Sequence, residues 1–141
     1  MNKSLAVVFA IVLVSTPVVG QSISFDLGDP VLEANLNSIG ASAKVDLPGF
    51  TAEVSLQWGI PAAQVQSALS QGLAAAEVYL AAGLASISGK PLAFVVDTYK
   101  KNRSKGWGAL AKDLGIKPGS REFKALKDKV QGSADKAKKK K

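Results

Sequence analysis

The sequence predicts an α+β domain: an N-terminal antiparallel β-hairpin, of two or three strands, packed against four to five short helices and followed by a disordered lysine-rich tail. Three observations lead there. Apolar and polar residues alternate over residues 39–58, the period of a half-buried strand. From Pro61 onward the apolar spacing changes to that of a helix. Residues 131–141 carry almost no apolar surface and end in four lysines, a composition that cannot offset the entropy of ordering.

The alternation begins with Ile23, Phe25 and Leu27, separated by Ser24 and Asp26, and Gly28-Asp29-Pro30 reads as a turn. Ile39, Ala41, Ala43, Val45 and Leu47 then oppose Ser38, Gly40, Ser42, Lys44 and Asp46. After Pro48-Gly49 the pattern resumes with Phe50, Ala52, Val54, Leu56 and Trp58. Two period-2 runs around a Pro-Gly turn read as a hairpin with one buried face. Pro-Gly suits a type II turn rather than the primed turns of tight hairpins, so the loop is wider than two residues.

The first helix starts at Pro61, with Val65, Ala68 and Leu69 as its stripe. A second runs from about Leu73 to Ile87 and stops at Gly89. A third follows Pro91, with Leu92, Val95, Val96 and Tyr99 at i, i+3, i+4 and i+7. A short fourth carries Trp107, Leu110, Ala111 and Leu114, and Ser120 is placed to cap a last one bearing Phe123, Leu126 and Val130. Neither a lone hairpin nor short helices bury their apolar faces alone, so the helices pack on the hairpin. The expected core is Phe50, Val54, Leu56, Trp58, Leu69, Tyr79, Leu80, Val95, Trp107, Leu110 and Leu114.

Residues 1–20 read as a cleavable export signal. Lys3 gives a positive start, Leu5 to Val14 is uninterrupted apolar chain, Ser15-Thr16-Pro17 breaks it, and Val18-Val19-Gly20 supplies small residues before cleavage near Gln21. An apolar run of about ten residues is too short for a bilayer core that needs roughly 20. With no Cys after it, a lipoprotein anchor is excluded, and no disulfide can brace the protein. The expected organisation is a signal over 1–20, one domain over 21–130 and a tail over 131–141, located in the periplasm or outside the cell.

The chain lacks His as well as Cys, which removes the Ser-His-Asp arrangement, thiol nucleophiles and the commonest metal ligands. Asp26 and Asp29 offer too few oxygens for a Ca²⁺ loop and read as turn residues. Gly89-Lys90-Pro91 fails as a phosphate loop because Pro91 stands where Ser or Thr is needed and a helix leads in. Leu110 to Ile116 has the small-residue spacing of a helix-turn-helix corner, but an exported chain does not meet the chromosome, and we read a structural corner. Trp107, in phase with Leu110 and Leu114, reads as core rather than as a membrane-interface residue.

Charge is the strongest functional signal. Residues 21–89 hold one base and six acids, a net of −5; residues 90–141 hold sixteen bases and five acids, a net of +11. Such a split points to a polyanionic partner. The candidate anion-binding residues are Lys100, Lys101, Arg103, Lys105, Lys112, Lys117, Arg121, Lys124 and Lys127.

The strings Ala43-Lys44-Val45-Asp46-Leu47-Pro48-Gly49-Phe50-Thr51-Ala52-Glu53, Gly89-Lys90-Pro91, Tyr99-Lys100-Lys101-Asn102-Arg103 and Gly106-Trp107-Gly108, then Ala111-Lys112-Asp113-Leu114-Gly115-Ile116-Lys117-Pro118-Gly119-Ser120 with Glu122-Phe123 and Ala125-Leu126-Lys127, resemble a family of small uncharacterised exported proteins of Gram-negative bacteria. The resemblance covers roughly Ala34 to Lys127. Members often carry His where this chain has Lys124, so a role for that imidazole is lost here. The resemblance implies compartment and architecture and carries no activity.

The expected function is therefore that of a non-enzymatic envelope protein, without a cofactor, whose basic half docks on lipopolysaccharide, an anionic lipid surface, nucleic acid or an acidic protein. The alternatives are an assembly module using the hairpin edge and, less favoured, a carboxylate-based hydrolase.

Overall fold

Asp29 and Asp46 each stand at the start of a helix, not in a turn between strands. In the computed structural model, which describes residues 23–139, Asp29 Oδ1 accepts the Leu32 N–H at 3.0 Å and Pro30 opens α1 (Pro30–Val45). Asp46 Oδ1 accepts the Gly49 N–H at 2.9 Å and opens α2 (Leu47–Trp58), with Pro48 in its first turn. An Asp side chain satisfies an orphan donor at a helix start, and Pro loses nothing there because its missing N–H would have had no partner.

The α+β expectation is thereby corrected: among the described residues every regular element is helical and no strand forms. A period-2 run and a helix share every fourth position, so Phe50, Val54 and Trp58 are buried under either reading. The discriminating positions are Ala52 and Leu56, and both are exposed, Leu56 at 82%. In α1, likewise, Ile39 and Ala43 are buried while Ala41 and Val45 are not. Leu32, Asn35 and Leu36 upstream complete a helical stripe.

Four of the helices expected after Pro61 fall close to their predicted spans: α3 (Ala62–Ser70), α4 (Ala75–Ser88), α5 (Leu92–Lys101) and α6 (Gly106–Asp113); a 3-10 turn (Arg103–Lys105) precedes α6, and α7 (Arg121–Lys139) closes the described chain. The disordered tail is a second correction. α7 continues through its described length to Lys139, because Ser133 and Ala134 extend the stripe of Phe123, Leu126 and Val130 and are buried. Lys140 and Lys141 lie outside the described residues, as does the export signal read at 1–20.

α4 is the centre. It is buried from Ala76 to Ala85 on all sides, the mark of a helix surrounded by others, and α1, α2, α3, α5 and α7 pack around it. The approach of α1 is close: a Cβ at Gly40 would stand 2.8 Å from Ala76 Cβ. α7 also lies along α1, where Asn35 Nδ2 donates to Gln131 Oε1 at 3.0 Å. Of the expected core, Leu56 is exposed and Leu69 and Leu114 are partly buried against it; the others are buried.

Residues 23–29 form an irregular strap that turns at Asp26 and Gly28, both at positive φ, with Phe25 and Leu27 buried. The alternation there is real, but its partners are side chains of a helix. Glu33 on α1 accepts the Phe25 and Leu27 N–H groups, one with each oxygen, both at 3.0 Å. Asn37 accepts the Ile23 N–H at 2.9 Å and donates to the Ile23 carbonyl at 3.0 Å. On the other side the Gly108 N–H donates to the Phe25 carbonyl at 3.0 Å. A Cβ at Gly108 would overlap the Asp26 carbonyl, so the strap can seat only on glycine.

Candidate anion-binding surface

The acids of the first half serve the architecture. Asp29, Glu33 and Asp46 hold backbone donors as described. Lys127 on α7 pairs with Asp29 at 2.8 Å, and this hydrogen bond, helped by the Leu32 N–H, holds the Asp29 carboxyl below its usual range.

Glu77, 9% exposed in the first turn of α4, accepts three donors. Its Oε1 takes the Ala74 N–H at 2.9 Å; its Oε2 takes the Tyr99 hydroxyl at 2.9 Å and the Trp107 Nε1–H at 3.0 Å. The Tyr99 and Trp107 rings stack at 3.8 Å between centroids and 12° between planes. Burial, then the bond to Glu77, pushes the Tyr99 phenol up. One carboxylate thus joins α4, α5 and α6.

Glu53 on α2 does similar work. Its Oε2 accepts the Ser133 hydroxyl at 2.7 Å and meets Lys136 Nζ at 3.5 Å, while Ser133 accepts from the Tyr79 hydroxyl at 2.6 Å. Burial above all pushes the Tyr79 phenol up to about 12. The Trp58 ring meets Tyr79 edge-on at 5.7 Å. Its buried N–H lies near enough to ease the Tyr79 shift slightly but falls short of a hydrogen bond.

Beside this chain of bonds lies a cavity of about 60 Å³, lined among others by Asp46, Glu53, Ser133 and Lys136. That is room for a few waters, each needing at least ~10–15 Å³. Its two carboxylates are occupied, Asp46 by the α2 cap and Glu53 by Ser133 and Lys136. Nothing in it suits a sugar ring held between an acid pair. Among the described residues no three carboxylates gather to hold a metal ion, and no helix is long and apolar enough to cross a membrane.

The nine candidate cations are all exposed, but they do not act alike. Lys127 is committed to Asp29. Lys124 pairs with Asp128 one turn on, at 2.9 Å. Lys100 Nζ reaches Gln71 Oε1 at 3.0 Å, and the Arg103 guanidinium lies over the Tyr99 ring at 5.4 Å. Lys101, Arg103, Lys105, Lys112, Lys117 and Arg121 make no ion pair among the described residues. The 3-10 turn packs on α6, and α6 on α5, so Lys101, Arg103, Lys105 and Lys112 belong to one group of neighbouring elements. Asp97 and Asp113 are the acids in that stretch.

The candidate set omits Lys90, whose ammonium sits 5.5 Å over the Phe94 ring, and Lys129, 5.1 Å over Trp58. The Lys90 signal was available in the four-residue spacing to Phe94.

Fold and surface together define a small helical domain that turns its first-half carboxylates to structural use and presents its cations. No family model, curated protein or solved structure matches the chain. The Gly-Trp-Gly to Pro-Gly-Ser stretch is nonetheless explained by its contacts. Trp107 binds Glu77, Gly108 seats the strap, Ile116 is fully buried, and the Ser120 hydroxyl accepts the Phe123 N–H at 3.0 Å to start α7.

Proposed function

We propose that the protein is a non-enzymatic exported protein of the envelope that binds polyanions electrostatically through Lys101, Arg103, Lys105, Lys112, Lys117 and Arg121. The observation that carries this reading is the unequal use of charge. These six side chains are exposed and form no ion pair among the described residues, whereas first-half carboxylates are engaged with helix starts, the strap and buried donors. Without His or Cys, such a surface offers permanent positive charge for phosphate, sulfate or carboxylate groups. Assembly by strand addition at a hairpin edge is dropped with the hairpin itself.

The test is affinity for heparin and for anionic vesicles as salt is varied. Replacing Lys101, Arg103 and Lys105 by Gln should weaken binding steeply and reduce the slope of log affinity against log salt by about 3. Unchanged affinity and slope would overturn the proposal. Lys138 and Lys139 are best tested by substitution in place, since cutting α7 at Gly132 removes the buried Ser133 and Ala134.

A further inference from the structure

We propose that the anionic partner is a lipid bilayer, on which α5 docks with the Phe94 ring entering the boundary between headgroups and acyl chains. This rests on the cation reading above and narrows it to one partner.

Phe94 is 47% exposed and is the only aromatic among the exposed large apolar side chains of the described residues. α5 buries Leu92, Val95 and Val96, and helical spacing puts Phe94, Asp97 and Lys101 on the opposite face. The ring therefore points away from the core. Lys90 stands over it at 5.5 Å, Lys101 lies two turns along the same face, and Lys105 and Arg103 follow in the 3-10 turn, Arg103 over the Tyr99 ring. Asp97 is the one acid on that face, against Lys101 on it and Lys90 just before the helix, over the ring.

A soluble polyanion needs only the cations. An apolar ring held in water beneath the Lys90 ammonium, with Lys101 farther along the same helix face, gains free energy where apolar and anionic surroundings meet, which is the boundary of an anionic bilayer. The two contributions need each other: one ring gives only marginal attachment, and each Lys or Arg near such a surface adds to it. At ten residues α5 lies on the surface, and no described helix is long and apolar enough to cross it.

The experiment uses the protein cleaved before Gln21, with three probes: phosphatidylglycerol-containing vesicles, pure phosphatidylcholine vesicles and heparin. Phe94→Ala should weaken binding to the anionic vesicles about fivefold to tenfold and leave heparin binding unchanged. In a Phe94→Trp variant, bromine-labelled lipids should quench fluorescence beyond the wild-type level, since Trp58 and Trp107 are buried. Vesicle binding indifferent to Phe94→Ala, or no added quenching, would overturn the inference and leave the cation reading standing. Loss of heparin and vesicle binding alike in the wild type would instead remove the cation reading, and this inference with it.

Discussion

The two halves of the chain hold opposite charge and use it in opposite ways. In residues 21–89, five of the six acids accept structural hydrogen bonds: Asp29 and Asp46 cap helices, Glu33 holds the strap, Glu53 fixes Ser133, and Glu77 joins three helices. In residues 90–139 the cations are exposed, and only three of them form ion pairs among the described residues. The cause is chemical. Every helix start leaves N–H groups in need of an acceptor, which a short carboxylate can reach. A lysine ammonium on a long stem is better placed in water. A net of −5 followed by +11 therefore does not describe two matching charged surfaces. The negative half is largely drawn into the fabric of the fold, and the positive half is displayed.

The sharpest way to break this comparison is to remove Glu77. Glu77→Ala leaves the Tyr99 hydroxyl and the Trp107 N–H without their acceptor, and chemical denaturation should show a loss of about 3 kcal/mol. A loss below ~0.5 kcal/mol, the level of an ordinary surface substitution, would mean the buried carboxylate is dispensable.

Tyr79 offers a test by pH. Its folded pKa of about 12 lies above the ordinary 10.0, so above pH 10 the unfolded chain releases a proton that the folded one retains. The associated stability, about 2–3 kcal/mol, is fully present below pH 10 and is lost between about pH 10 and 12. Tyr99, also raised, adds loss of the same sign. Urea melts across that range should show the decline, and Tyr79→Phe should flatten most of it.

The smallest expected effect is on the displayed side. Replacing Lys101, Arg103 and Lys105 together by Gln should change stability by less than ~0.5 kcal/mol, as thermal melts would show, even as binding falls. A large destabilisation would mean these cations also serve the fold.

Much of this was legible in the sequence, and the failures have a common origin. The helices from Pro61 onward carry stripes at i, i+3, i+4 and i+7 that no strand reproduces. Within each helix the buried apolar positions over 39–58, Ile39 and Ala43 and then Phe50, Val54 and Trp58, fall at four-residue intervals, which satisfy both periods, and Ala41, Val45, Ala52 and Leu56 completed a false alternation. The decisive local signs were Asp29-Pro30 with Glu33, and Asp46 with Pro48, which are helix starts as readily as turns. The tail misled because its buried face is built from Ser133 and Ala134, residues with little apolar signature.

The nine candidate cations are exposed, but sequence could not show which of them would be taken. Lys127 meets Asp29 across nearly the whole chain, and no local pattern announces that pair. Nor could composition reveal that Glu77, an ordinary first-turn acid by its position, would collect a tyrosine and a tryptophan from two later helices.

Synthesis runs from α1 to α7, yet these two lie against each other, joined by Lys127–Asp29 and Asn35–Gln131. While the chain is still emerging, the flank of α1 that α7 will cover has nothing to rest on, and the Tyr79 hydroxyl waits for Ser133. The α1–α7 seam therefore closes only once the last helix is free to pack over the first.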